Sequence, residues 1–253
     1  MTSPRQSRAR SGRRYVWPPQ PPHELEVPSS TTILGILDKP ALLGWASRMV
    51  AEYAVEHRDA WSRLPTDEAV ALLKGAPWRN RNRKANVGTA VHTALEAYVT
   101  GQEPDEELAP ERRGYYEAAL AFLRDHEPKI TASEVTVYSR RHEYAGTLDL
   151  LGEHGGEATV MDYKTGKDVY PEMALQLCSY AYGDFIGHDD GREEPLPEIR
   201  RGIVIRLGAN GRYKAVPVSL PQELFEVFLA LRRVWSWKQN AESYLGPPLR
   251  KAA

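Results

Sequence analysis

Hydrophobic and polar positions alternate or recur with helical spacing over most of the chain, and the two periods predict its elements. TLDLL and ATVMDY flank a turn at Gly155-Gly156, which predicts a hairpin with Asp149 on one strand and Asp162, Tyr163 and Lys164 on the other. ITASEVTVY, from Ile130 to Tyr138, alternates as a further strand, and Ile199 to Leu220 reads as two more around Ala209-Asn210-Gly211. Helical spacing appears from Pro110 to His126, after Pro171, and after Pro221, where Leu224, Phe225, Phe228, Leu231, Val234 and Trp235 recur. Earlier, Pro40 opens a long helix in which Leu42, Trp45, Met49, Val50 and Tyr53 recur at threes and fours, predicting core packing. Thr66 to Leu73 reads as a short helix capped by Thr66 or Asp67 and ended by Gly75. GTAVHTALEAY continues a helix that stops at Gly101.

Composition sharpens the division into regions. Residues 1–28 hold Arg5, Arg8, Arg10, Arg13 and Arg14 with no acid before Glu24, followed by WPPQPP; this predicts a flexible basic, Pro-rich arm. A solvated tail is the expectation there, ahead of an arm that tracks DNA phosphates. Residues 29–245 read as a single domain, and 246–253 as a loose tail. Net charge is −1, so nucleic-acid binding would rest on local basic patches. The run Arg79, Arg81, Arg83, Lys84, ahead of the His92 helix segment, is such a patch; a solvated face is its plain alternative. Cys178 is the single cysteine, which excludes an internal disulfide and a cysteine-ligated iron-sulfur cluster. No apolar run suits a membrane span or signal peptide, so a cytoplasmic protein without a membrane partner is expected.

The chemistry concentrates on the hairpin. Asp149 and Asp162 can meet across antiparallel strands, and two carboxylates in one small volume repel unless a cation lies between them. Oxygen donors without clustered Cys or His favour Mg²⁺ or Mn²⁺ over Zn²⁺. Lys164, two residues after Asp162, leaves the same face of its strand and supplies an ammonium there. His92 and Glu96 share a helical face, with Gly88 one turn earlier leaving room for close backbone approach.

Asp149 followed by Asp162-Tyr163-Lys164 resembles the D…(D/E)xK signature of the PD-(D/E)xK nuclease superfamily. GTLDL, DYKTG, QLCSY and the upstream GTAVHTALEAY are, in that company, similar to the RecB-like branch, including CRISPR-associated and phage exonucleases. The resemblance implies an α/β, restriction-endonuclease-like core, a mixed central sheet flanked by helices, here with an added N-terminal helical layer. It implies one or two Mg²⁺ (or Mn²⁺) ions held by His92, Asp149, Asp162 and the main-chain carbonyl of Tyr163. Glu96 and Glu134 are further candidates, with a salt bridge on the sheet an equal reading of Glu134. Lys164, Asp149, Asp162, Gln176 and Tyr180 would form the catalytic set, the last two contacting Lys164 or a DNA phosphate. The implied activity is a DNA exonuclease of recombination, repair or replication, acting in the cytoplasm, the host's if phage-encoded. A structure- or sequence-specific endonuclease and a non-catalytic DNA-binding module are the alternatives. No phosphate loop of a helicase motor occurs, so unwinding would come from a separate helicase, with a single-strand annealing protein as another conceivable partner.

Overall fold

The computed structural model describes residues 6–9, 12–19, 22, 24–102 and 109–249. It opens with β1 (Gln6–Ala9), β2 (Gly12–Trp17) and β3 (Leu25–Pro28), an antiparallel three-stranded sheet. A helical layer follows: α1 (Ser30–Leu34), α2 (Pro40–Glu56), α3 (Arg58–Trp61), α4 (Thr66–Lys74) and α5 (Ala76–Val99). Then come α6 (Pro110–His126), β4 (Lys129–Ser139), β5 (Tyr144–His154), β6 (Glu157–Lys164) and α7 (Glu172–Ala181). The short strands β7 (Phe185–Gly187) and β8 (Glu193–Pro195) precede β9 (Arg201–Leu207), β10 (Tyr213–Ser219) and α8 (Gln222–Gln239).

The main sheet runs β10-β9-β6-β5-β4-β7-β8 and is mixed: β6 and β9 are parallel and the other neighbours antiparallel. The β5–β6 hairpin turns where Gly155 and Gly156 adopt φ of 62° and 82°, a conformation that costs glycine little. The parallel partner of β6 must be reached by a crossover, and α7 lies in that connection. One apolar cluster joins α1, α7 and α8 to the sheet through Ile33, Leu177, Phe228 and Val160. A second joins α5 and α6 to it through Val91, Leu95, Phe122 and Met161. This is the mixed α/β, restriction-endonuclease-like core flanked by helices.

Several local expectations are corrected. The flexible arm over residues 1–28 does not hold for its described part: Tyr15, Trp17 and Val27 are buried with Tyr138, Ala145 and Phe185. Alternate apolar positions on β2 and β3, too few to fold alone, gain burial by docking on the main sheet. Tyr15 Oη lies 2.9 Å from Thr147 Oγ1, and Trp17 Nε1 donates to Glu193 at 2.9 Å. Arg5 and Arg10 lie outside the described residues, as do Arg250 to Ala253 of the tail. Conversely, α2 fully buries none of its residues: in its periodic stripe Leu42 is exposed and Trp45, Met49, Val50 and Tyr53 are only half-buried, so the stripe is not core. The helix α4 has Pro65 at its N-cap and no side-chain cap from Thr66 or Asp67, while Gly75 ends it as expected. The basic run does not precede the His92 helix; it forms that helix's first turns. The acidic, Pro-containing stretch from Asp189 to Glu198 holds β8, paired with β7.

Candidate active site

Asp149 sits where both neighbouring ladders are interrupted. Paired residues on β4 and β5 skip the Glu134–Asp149 position between Ser133↔Leu150 and Val135↔Leu148, and the β5–β6 ladder ends at Leu150↔Met161. Glu134 has φ 51°, a left-handed conformation unusual for a residue with a side chain. Asp149 Oδ2 accepts from the Tyr163 backbone N–H at 2.6 Å, replacing a ladder bond as β6 diverges. Ser133 Oγ donates to the Asp149 carbonyl at 3.2 Å and steadies the other side.

Into this opening α5 delivers His92. Its Nδ1 lies 3.2 Å from Glu134 Oε1 and 3.4 Å from Asp149 Oδ1. Ligand atoms of His92, Glu134 and Asp149 all fall within 4.8 Å of one another. Burial alone would lower the imidazole pKa, but the two carboxylates outweigh it and raise it to about 11. Asp149 shows the reciprocal effect: burial opposes its charge, yet His92, Lys164 and the Tyr163 N–H hold its pKa below the usual range. Burial raises the Glu134 pKa against the pull of His92.

Asp162 is placed differently from the expected ligand set. It is 2% exposed and pairs with Lys164 from the same strand face, and it lies outside the group formed by His92, Glu134 and Asp149. Apart from that contact its carboxylate oxygens have no hydrogen-bond partner. Burial, aided by the Asp149 charge and opposed by Lys164, lifts its pKa to about 6. Lys164 gains from Asp162 and Asp149 more than burial takes away, so its ammonium is held firmly. Buried oxygens short of donors, next to an imidazole and two further carboxylates, fit a hard divalent cation.

Gln176 and Tyr180 meet each other: Gln176 Nε2 donates to Tyr180 Oη at 2.7 Å, while Lys164 pairs with Asp162. Both line a cavity of about 660 Å³ that also takes in His92, Glu96, Glu134, Asp149, Asp162 and Lys164. The Tyr180 ring packs on β5 at Gly146, where an added Cβ would stand 2.5 Å from Cε1. Tyr163 lines the cavity too, but its ring belongs to the apolar cluster under α5 and stands edge-on to His92. Glu96 reaches the cavity wall without joining the three-residue group. Among the described residues outside its own helix, a Cβ at Gly88 would meet only Thr165 Oγ1, at 3.4 Å.

The basic residues Arg79, Arg81, Arg83 and Lys84 are exposed and do not line the cavity. Arg79 donates to the Leu72 carbonyl and stacks on Tyr53, so it ties α4 and α2 to α5. Sequence reading missed Arg13, Tyr15, Ser30, Thr147 and His188, all on the cavity wall. For Arg13 and Tyr15 the signal was available in the alternation of GRRYVW before the proline run.

A sequence profile built on known nucleases matches residues 69–183. That segment, somewhat less than half of the chain, is similar to the PD-(D/E)XK nuclease superfamily. It contains His92, Glu134, Asp149, Asp162, Lys164, Gln176 and Tyr180, and leaves the N-terminal sheet outside. Solved structures similar to this chain include the crystal structure of an alkaline exonuclease (LHK-Exo) from Laribacter hongkongensis. It is 10% identical with a TM-score of 0.37, over 61% of this chain and 80% of that one. The same exonuclease in complex with dAMP gives 11% and 0.38 over 61% and 80%. The crystal structure of SSO0001 gives 13% and 0.37 over 78% and 75%. No curated protein matches. None of the described helices is long and apolar enough to cross a membrane.

Proposed function

We propose that this chain is a metal-dependent deoxyribonuclease that hydrolyses phosphodiester bonds from DNA ends. The observation that carries the reading is the convergence of His92, Glu134 and Asp149 beside the buried Asp162–Lys164 pair, in a segment similar to a nuclease superfamily. His92, Glu134 and Asp149 would hold a Mg²⁺ or Mn²⁺ ion, with Asp162 and the Tyr163 carbonyl available to a larger set. Such an ion would polarise a phosphate and make water a better nucleophile.

The chain's own groups do the remaining work. His92 must give up its Nδ1 proton to become a ligand, so proton and cation compete for one lone pair. Lys164, a firmly held ammonium, suits offsetting charge that builds on a phosphate better than taking a proton from water. Tyr180 and Gln176 form a bonded pair whose remaining donor capacity faces the same cavity and would hold a phosphate oxygen. The expected products are a 5′-phosphate and a 3′-hydroxyl. The expected setting is DNA recombination, repair or replication in the cytoplasm, alongside a separate helicase or annealing protein.

The test uses purified protein with end-labelled linear DNA and covalently closed circles. Cleavage of linear DNA should need Mg²⁺ or Mn²⁺, stop with EDTA and fall by about 10²- to 10³-fold in Lys164→Ala. Cutting of closed circles at the same rate would turn the assignment to an endonuclease. An EDTA-resistant or Lys164-independent activity would refute the site.

A further inference from the structure

We propose that α5 extends the cavity into a track for single-stranded DNA, with Trp78 as a base-stacking platform and Arg81 beside it for the backbone. The proposal rests on the nuclease reading above and adds the substrate form and the residue that selects it. At 3.6 residues per turn, Trp78, Asn82, Ala85, Thr89 and His92 fall in one stripe. Trp78 and His92 stand about 40° apart around the axis and about 21 Å apart along it. Thr89 and His92 line the cavity, and Asn82 and Ala85 continue the stripe outward through exposed surface. Trp78 is 60% exposed, and the Arg81 guanidinium stands 5.0 Å from its ring centre.

Two further observations favour a nucleic-acid strand over an apolar protein partner. Between Ala76 and Leu95 the sequence has four basic residues and no acid, a charge that complements a polyanion. Arg81 makes no ion pair among the described residues, unlike Arg79, which is committed to Leu72 and Tyr53. An exposed indole flanked by a guanidinium without an ion-pair partner among the described residues matches the π face and phosphate of an unpaired nucleotide. Duplex DNA hides those faces within its own stack, so the platform discriminates for single strands.

Affinity of a labelled single-stranded dodecamer, measured by anisotropy in EDTA, tests this with Trp78→Ala, Trp78→Leu and Trp78→Phe. Alanine and leucine should weaken binding on the order of tenfold, and phenylalanine by no more than about threefold. A dodecamer with one abasic position should bind the parent about tenfold more weakly, yet Trp78→Ala no more weakly than the intact strand does. Hydrolysis of bis(p-nitrophenyl) phosphate, too short to reach Trp78, should stay at the parental rate in Mg²⁺. Parental affinity in Trp78→Ala, full retention by Trp78→Leu, or no coupled abasic position would each overturn the stacking platform while leaving the nuclease reading intact. A parent that neither binds nor cuts DNA would overturn both.

Discussion

The two halves of α5 meet different physical demands. From Val87 on, Val87, Val91 and Leu95 pack against the sheet through Leu150, Met161 and Tyr163, and that packing fixes His92 beside Glu134 and Asp149. Before Val87, Trp78, Arg81, Arg83 and Lys84 face solvent on the same rigid rod. A ligand set must be held within a fraction of an ångström by locked neighbours, whereas a long anionic polymer is gripped by groups free to adjust. One helix can thus couple substrate position to chemistry without a hinge, because moving its outer half moves the histidine.

Substitutions in the two halves should separate rate from affinity. His92→Ala, in the packed half, is expected to lower Mg²⁺-dependent cleavage by about 10²- to 10³-fold. Its DNA affinity in EDTA should stay close to that of the parent. Loss of affinity in step with rate would erase the distinction. The double variant Arg81→Ala, Arg83→Ala, in the open half, should do the opposite. The slope of log K against log salt for single strands should fall by about 0.7 per lost phosphate contact, with cleavage at saturating DNA maintained. Gly88→Ala, at the junction, should produce the smallest effect. Among the described residues outside its own helix the new methyl would meet Thr165 Oγ1 alone, at 3.4 Å, so replacing helical glycine should add about 0.5–1 kcal/mol of stability, read by chemical denaturation. A Gly88→Ala protein that is more stable yet cleaves slowly would show that the strand runs hard against this turn.

What could be read from the sequence follows the range of the interactions involved. The hairpin and Asp162–Lys164 were legible because a turn signal and a period of two fix them locally. His92 required the order of motifs, since nothing local distinguishes it from a packed histidine. The sequence reads Glu134 equally as a sheet salt bridge or a metal-site residue, because no periodicity announces its left-handed φ. Asp162 is expected in the ligand group; it pairs with Lys164 and lies just outside the group of His92, Glu134 and Asp149. The N-terminal strands and α2 were misread for one reason. Periodicity shows that a face is apolar but not whether another element covers it; Tyr15 and Trp17 pack on the main sheet, while Leu42 is exposed and Trp45, Met49, Val50 and Tyr53 are only half-covered.

The central claim is that Asp149, with His92 and Glu134, forms a divalent-cation site used for hydrolysis. Calorimetric titration of Mn²⁺ into the parent and into Asp149→Asn, in buffers of different protonation enthalpy, tests it most directly. Asparagine keeps an acceptor for the Tyr163 N–H while removing the charge. The parent should bind Mn²⁺ at neutral pH with release of about one proton, as His92 is freed for ligation, and the variant should lose both that binding and DNA cleavage. Equal Mn²⁺ affinity and equal cleavage in the two proteins would contradict the claim.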